Sequence, residues 1–173
     1  MVSKFIVFLG EVAPKAEGEI AFLLSSDLKG PGVTESDVLA ATEGVMPCFE
    51  IVDSRIADWK IKIQDTVADN ASCGLFAINR TDMKKPDEVD LVGCEMQVYK
   101  NGEPLSQGFG SAALGNPLTC VAWLANTLGN YGISLNKGDV ILSGSLVPLE
   151  SVVAGDRMSL EISGLGTLAI EFE

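Results

Sequence analysis

The order of apolar and polar residues along the first third of the chain predicts a strand, a helix and a second strand. Residues 17–24 end in an apolar run closed by the glycine- and proline-rich segment 29–32, which is typical of a strand followed by a turn. Thr34 then resembles a helix cap, and apolar residues recur on one face until Pro47. Residues 48–53 form another apolar run. We therefore expect two strands joined through a helix that Pro47 ends.

The second half of the chain alternates short apolar segments with turn residues. The pair Asn101-Gly102 separates two strand-like segments, 91–99 and 104–109, and predicts a hairpin because both residues tolerate a positive φ. Asn116 caps the clearest predicted helix, which begins at Pro117 and ends at Gly129. Four further short strands are predicted at residues 140–142, 147–153, 158–162 and 168–172.

Residues 58–70 have mixed polarity and leave helix and loop open as alternatives, whereas residues 73–78 are strand-like. No low-complexity linker or internal repeat divides the chain. The pattern as a whole favours a single domain of the α+β class, with a mostly antiparallel, curled, barrel-like sheet and two or three helices.

Composition narrows the possible functions. The chain has 173 residues and no histidine, which excludes Ser-His-Asp catalysis and histidine-ligated zinc. Its 12 basic residues stand against 24 acidic ones, so we expect no nucleic-acid partner. The longest apolar run, residues 120–125, is far shorter than the roughly 20 residues of a membrane span, so no membrane partner is expected. Four cysteines without a Cys-x-x-Cys pair, and no secretory signal, favour a cytoplasmic protein.

Three glutamates are candidates for a metal site. Glu17 and Glu19 are two residues apart on a predicted strand, so both side chains project from one face. Glu50 lies inside the apolar run 48–53, where an unpaired carboxylate would be costly to bury. A hard divalent cation such as Mg²⁺ or Mn²⁺ would offset both problems. The alternative is an exposed strand with solvated carboxylates, and spacing alone does not decide between them.

Four segments, at residues 15–22, 47–56, 58–74 and 143–150, closely resemble the bacterial 2-oxopent-4-enoate (2-hydroxypenta-2,4-dienoate) hydratases. These enzymes belong to the fumarylacetoacetase-like superfamily. The resemblance runs from about Pro14 to the C-terminus, so residues 1–13 are unmatched and residues 14–173 form one catalytic domain. It implies a fold of the fumarylacetoacetase C-terminal type.

The resemblance also implies site residues. The metal ligands of these hydratases fall on Glu17, Glu19 and Glu50, with Mg²⁺ or Mn²⁺ as the cofactor. Ser72 falls where these enzymes line the substrate pocket, and Ser145 falls where the superfamily contacts the substrate carboxylate. Both serines could equally be hydroxyls that cap turns. The acid–base Lys and Asp belong to an N-terminal segment that has no match in residues 1–13, so the catalytic residues stay unassigned and the chain is expected to be a fragment or a truncated product.

The implied activity is that of a hydro-lyase in the meta-cleavage degradation of aromatics, which hydrates 2-hydroxypenta-2,4-dienoate to 4-hydroxy-2-oxopentanoate. One alternative is the sister enzyme, 2-oxo-3-hexenedioate (4-oxalocrotonate) decarboxylase. Another is a truncated, non-catalytic partner subunit. The resemblance further implies a homo-oligomer that could form a complex with that decarboxylase.

Overall fold

The computed structural model describes residues 3–6 and 13–173, and it contains two five-stranded sheets. The strands, in chain order, are β1 (Ser3–Ile6), β2 (Pro14–Leu24), β3 (Thr42–Asp53), β4 (Cys73–Ile78), β5 (Glu95–Lys100), β6 (Glu103–Phe109), β7 (Val140–Leu142), β8 (Glu150–Ser151), β9 (Arg157–Ile162) and β10 (Gly166–Phe172). The helices are α1 (Glu35–Ala41), α2 (Ile63–Ala68) and α3 (Pro117–Gly129).

The first sheet has the strand order β1-β10-β9-β5-β6, and the second has β4-β3-β2-β7, with β8 also paired to β2. Neighbouring strands are antiparallel except β1 and β10, which run parallel. The α+β class with a mostly antiparallel sheet and three helices is therefore confirmed.

The two faces of the second sheet have different roles because successive side chains of a strand point to opposite sides. Even-numbered residues of β2, such as Ile20 and Phe22, pack into the main core with Met96, Leu160 and Ile162 of the first sheet. Odd-numbered residues of β2 share the other face with a small apolar cluster, which consists of Ala21, Leu23, Met46 and Cys48. That second face carries the candidate site.

The helix after Thr34 is confirmed but is shorter than expected. Thr34 and Asp37 form a reciprocal capping box, and α1 ends at Ala41 rather than at Pro47. The chain then continues as β3 through Pro47, which pairs with Ile20. The prediction was wrong because β3 is buried on both faces, so its apolar residues do not alternate with polar ones.

Other predicted segments contain shorter elements than expected. Residues 58–70 contain α2 flanked by short 3-10 turns, and 147–153 contains only the two-residue strand β8. The hairpin at Asn101-Gly102 is confirmed, with φ values of 53° and 88°. None of the four cysteines is in a disulfide. Within the described residues, no helix is both long enough and apolar enough to cross a bilayer.

Candidate metal centre

The register between β2 and β3 brings the three predicted glutamates together. Glu17 lies directly opposite Glu50, and Glu19 lies opposite Cys48, the residue two positions before Glu50. Directly paired residues project from the same face with Cβ atoms about 4.5–5.5 Å apart. One carboxylate oxygen from each glutamate lies within 4.8 Å of the others. These three residues are called the carboxylate cluster below.

The single residue between Glu17 and Glu19 is a glycine that packs closely against the main core. Gly18 separates Glu17 from Glu19 and points toward the main core, where a Cβ atom would lie 2.4 Å from the Met96 sulfur. A larger residue would require the Met96 side chain to move within the core. The Glu-Gly-Glu sequence therefore combines two carboxylates on one face with close packing between the sheets on the other.

Burial makes the cluster electrostatically strained when no cation is present. Glu19 is 1% exposed, and burial, followed by repulsion from Glu50 and Glu17, raises its pKa to about 9. Burial also raises the pKa of Glu17 to about 6, where a hydrogen bond with Ser145 opposes the shift and repulsion from Glu50 adds to it. In the described part of the chain, none of the ion pairs involves these glutamates. Without a cation, the folded protein therefore favours the protonated form of Glu19 near neutral pH.

The loop after β7 holds the buried end of the cluster. The backbone N–H of Gly144 donates to Oε2 of Glu19 at 2.7 Å, and Gly144 has a φ of 87°, a conformation that favours glycine. Beside it, the Ser143 hydroxyl accepts a hydrogen bond from the backbone N–H of Ile20 at 3.1 Å. The loop thereby fixes the carboxylate of Glu19 from a position 125 residues away in sequence.

The two predicted serines lie in different surroundings. Ser145 lies beside the cluster, where its hydroxyl lowers the pKa of Glu17, and that hydroxyl donates to the Val147 carbonyl oxygen. Ser72 is 2% exposed and donates to Oδ2 of Asp69 at 3.0 Å. The geometry therefore brings Ser145 to the glutamates. The expected role of Ser72 in lining a substrate pocket stays a prediction.

Two further side chains on this face were not singled out from the sequence. Phe76 of β4 pairs directly with Glu50 and is half exposed, so it borders the cluster on the β4 side. Lys15 precedes Glu17 by two residues, and its ammonium group lies 4.5 Å from the centre of the Trp59 ring. The alternation of β2 could have indicated Lys15, whereas Phe76 required the pairing of β3 with β4.

The donor set fits a hard divalent cation. Such ions prefer carboxylate oxygens, and three glutamate oxygens on one sheet face leave further coordination positions open toward solvent. Burial and mutual repulsion raise the pKa values of Glu17 and Glu19, and a cation bound between these carboxylates would oppose both effects.

Comparisons with known proteins identify the family. The family model of the fumarylacetoacetate (FAA) hydrolase C-terminal domain matches residues 7–173. This chain belongs to the FAA hydrolase family. The chain is 61% identical to a 2-hydroxyhexa-2,4-dienoate hydratase of Comamonas testosteroni, over 94% of this chain and 61% of that protein. It is 68% identical to a 2-hydroxypent-2,4-dienoate hydratase of Pseudomonas putida, over 71% of this chain and 55% of that protein.

The chain also matches solved structures. A 4-oxalocrotonate decarboxylase from Pseudomonas putida G7, complexed with magnesium and adipate, superposes with a TM-score of 0.93 at 35% identity. That match covers 99% of this chain and 65% of the decarboxylase chain. A second structure of the decarboxylase, complexed with calcium and acetate, gives a TM-score of 0.91. This chain therefore spans 55–65% of the length of these relatives.

Proposed function

We propose that this chain is the metal-binding part of a hydro-lyase that adds water to 2-hydroxypenta-2,4-dienoate or a close homologue, giving a 4-hydroxy-2-oxoalkanoate. The cation would be Mg²⁺ or Mn²⁺, held by Glu17, Glu19 and Glu50. The observation that carries the proposal is the convergence of these three carboxylates on one sheet face, in a chain 61–68% identical to two dienoate hydratases.

The cation would serve as a Lewis acid that stabilises negative charge on the 2-oxygen of the substrate. The chain's own residues would hold and orient the reacting groups. The Gly144 N–H fixes Oε2 of Glu19, and the hydrogen bond between Ser143 and Ile20 fixes the loop that carries Gly144. Ser145 lies beside Glu17 at the edge of the cluster, where it would contact the substrate carboxylate.

The proposal leaves the acid–base residue open. Hydration places a proton on C5 as the 2-hydroxyl loses its proton, and water then adds its hydroxyl to C4 and a proton to C3, so the reaction requires a group that transfers protons. Within the described residues no histidine is available, and the glutamates of the cluster would be committed to the cation. The resemblance to the hydratases implies an acid–base Lys and Asp in an N-terminal segment, and we propose that the acid–base groups come from that segment.

The test is loss of the diene absorbance of 2-hydroxypenta-2,4-dienoate in the presence of Mg²⁺ or Mn²⁺. The chain would be assayed beside a longer protein that carries the N-terminal segment of the Comamonas testosteroni relative. We expect turnover by the longer protein, its loss in Glu50→Gln, and its retention in Glu43→Gln, which changes an exposed glutamate of the same strand. Turnover that survives Glu50→Gln would contradict the proposal.

A second candidate follows from the structural matches. The two decarboxylase structures superpose over 99% of this chain, although at 35% identity they are more distant than the hydratases. The same proteins would therefore be assayed with 2-oxo-3-hexenedioate, with release of CO₂ as the readout. Decarboxylation without hydration would replace the first candidate by the second. Metal binding with neither reaction in the longer protein would favour a non-catalytic subunit.

A further inference from the structure

Lys15 places a positive charge on the sheet face that carries the carboxylate cluster. It precedes Glu17 by two residues, so its side chain leaves β2 on the same side, about 7 Å farther along the strand. In the register, Lys15 lies opposite Val52 of β3, which is two residues beyond Glu50. The cluster and Lys15 therefore occupy adjacent positions on one face of the sheet.

The indole ring of Trp59 orients the ammonium group of Lys15. Nζ lies 4.5 Å from the centre of the ring, within the range of a cation–π interaction. The ring is itself held in place, because Nε1 of Trp59 donates to the carbonyl oxygen of Ala13 at 2.8 Å. Asp58 and Trp59 have φ values of 58° and 53°, which are unfavourable for residues other than glycine and persist only where surrounding contacts maintain them. The end of the Lys15 side chain thus lies against a fixed aromatic neighbour.

The contact with Trp59 leaves Lys15 able to bind an anion. An ammonium group has three N–H donors, and a contact with one ring face leaves donors for a further partner. The ion pairs of the described residues do not include Lys15. Two acidic residues of neighbouring segments pair with other lysines: Glu150 of β8 with Lys100 at 3.3 Å, and Asp58 with Lys60 at 2.9 Å. The described part of the chain therefore gives Lys15 an aromatic partner but no carboxylate in an ion pair.

The spacing between Lys15 and the cluster suits a ligand with an anionic group at each end. A 2-oxo acid that binds a cation through its carboxylate and 2-oxygen keeps the rest of its chain outside the coordination sphere. Lys15 lies about 7 Å along β2 from Glu17, which is comparable to the length of an extended six-carbon acid. A carboxylate at the far end would accept a charge-assisted hydrogen bond from Lys15. The Trp59 ring already orders the lysine side chain, which lowers the entropy cost of that bond.

We propose that Lys15, oriented by Trp59, binds a second carboxylate of a ligand whose first carboxylate and 2-oxygen are held at the carboxylate cluster. The face then has two positions for anionic groups, the cation and the ammonium group, and binds 2-oxo dicarboxylates more tightly than monocarboxylates of the same length. The pentadienoate of the proposed function has one carboxylate and does not use Lys15. The inference rests on the proposed function in one respect, because it requires one end of the ligand to be held at the cation.

The first experiment measures ligand affinity and does not depend on turnover. The chain loaded with Mn²⁺ would be titrated calorimetrically with 2-oxohexanedioate and with 2-oxohexanoate, which differ only in the second carboxylate. The net charge of −12 disfavours the additional negative charge at long range, so tighter binding of the dicarboxylate requires a local positive partner. We expect 2-oxohexanedioate to bind at least about threefold more tightly than 2-oxohexanoate. The 6-methyl ester of 2-oxohexanedioate keeps the chain length without the second charge and should bind like 2-oxohexanoate.

Two variants at Lys15 locate the second carboxylate. Lys15→Met removes the ammonium group but keeps an unbranched side chain, so it should abolish the preference for 2-oxohexanedioate and change the affinity for 2-oxohexanoate by less than about twofold. Lys15→Arg keeps the positive charge and the ability to contact the ring of Trp59, so it should retain the preference.

Lys60→Met is the matched control. It removes the same charge from the residue that follows Trp59, where the lysine is exposed and pairs with Asp58 at 2.9 Å. A preference that depends on Lys15 should therefore survive in Lys60→Met, whereas a preference that depends only on net charge should decrease equally in both variants. Mn²⁺ binding by each variant, measured in the same titrations, shows that the sheet and the cluster remain folded.

The outcomes separate the inference from the function beneath it. If the chain bound no Mn²⁺, both the proposed function and this inference would be overturned. If Mn²⁺ and 2-oxohexanoate bound but 2-oxohexanedioate bound no more tightly, the inference alone would fail. It would also fail if Lys15→Met kept the preference, or if Lys60→Met lost it to the same extent.

Discussion

Replacing Glu19 by glutamine should make the metal-free protein more stable at alkaline pH while removing its response to metal. Glu19 is 1% exposed, and its pKa is raised from 4.5 to about 9 by burial and by repulsion from Glu50 and Glu17. The folded chain therefore retains a proton on Glu19 that the unfolded chain releases above pH 4.5. This contribution to stability is fully present below pH 4.5 and is lost as pH rises toward 9.

The size of the effect follows from linkage. Between those two pH values the folded state binds one more proton at Glu19, so the free energy of unfolding falls by about 1.4 kcal/mol per pH unit from this group. The amide oxygen of a glutamine can still accept the Gly144 N–H, and its NH₂ can donate to the remaining carboxylates. We expect the metal-free variant to exceed wild type by on the order of 5 kcal/mol at pH 8 and by less than about 1 kcal/mol near pH 5.

The assay is urea unfolding in EDTA at several pH values between 5 and 8.5, with melting temperatures as a check. For a chain of this length, 1 kcal/mol corresponds to about 2–4 °C. Adding metal at about 100 times its Kd should stabilise wild type by about 2.7 kcal/mol and leave Glu19→Gln unchanged. Parallel pH curves for wild type and variant, or equal stabilisation of both by metal, would refute this reasoning.

Two other variants test a hydrogen bond beside the site and an ion pair away from it. Ser143→Ala leaves the Ile20 N–H without its side-chain acceptor, so urea unfolding should show a loss of about 1–3 kcal/mol. Mn²⁺ binding should also weaken, because the loop that carries Gly144 then keeps only its backbone hydrogen bonds to β2. Unchanged Mn²⁺ affinity would show that the loop does not position Glu19. Lys100→Met removes the ammonium group 3.2 Å from the largely buried Asp156 and should cost about 1–3 kcal/mol without affecting Mn²⁺ binding. Lys60→Met, which breaks an exposed pair, is its control and should cost less than about 1 kcal/mol.

The sequence predicted correctly the helix start and the turn whose formation depends on residues close together in the chain. Asn116 and Pro117 marked the start of α3, and Asn101-Gly102 marked the hairpin between β5 and β6, since capping and turn formation are decided within a few residues. The continuation of β3 through Pro47 was missed because its burial comes from both neighbouring strands and from two separate apolar clusters.

In the site, too, the sequence predicted the local features and missed those that depend on strand pairing. The shared orientation of Glu17 and Glu19 follows from the two-residue period of a strand, so the sequence was sufficient to predict it. The approach of Glu50 depends on the register of β2 with β3, and the hydrogen bond from Gly144 joins residues 125 positions apart. Spacing carries no information about either contact. The resemblance to the hydratases suggested the metal set, and the pairing of the strands provides its physical basis.

The most direct test of the account is a Mn²⁺ titration of three proteins: wild type, Glu50→Gln and Glu43→Gln. Changes around a metal site cost about 10–100-fold in affinity even when no ligand is removed, so loss of a direct ligand should cost at least about 100-fold. The account predicts one bound Mn²⁺ per chain in wild type and in Glu43→Gln, and the loss of that site in Glu50→Gln. Equal affinity in all three proteins would contradict the assignment of the carboxylate cluster as the metal centre.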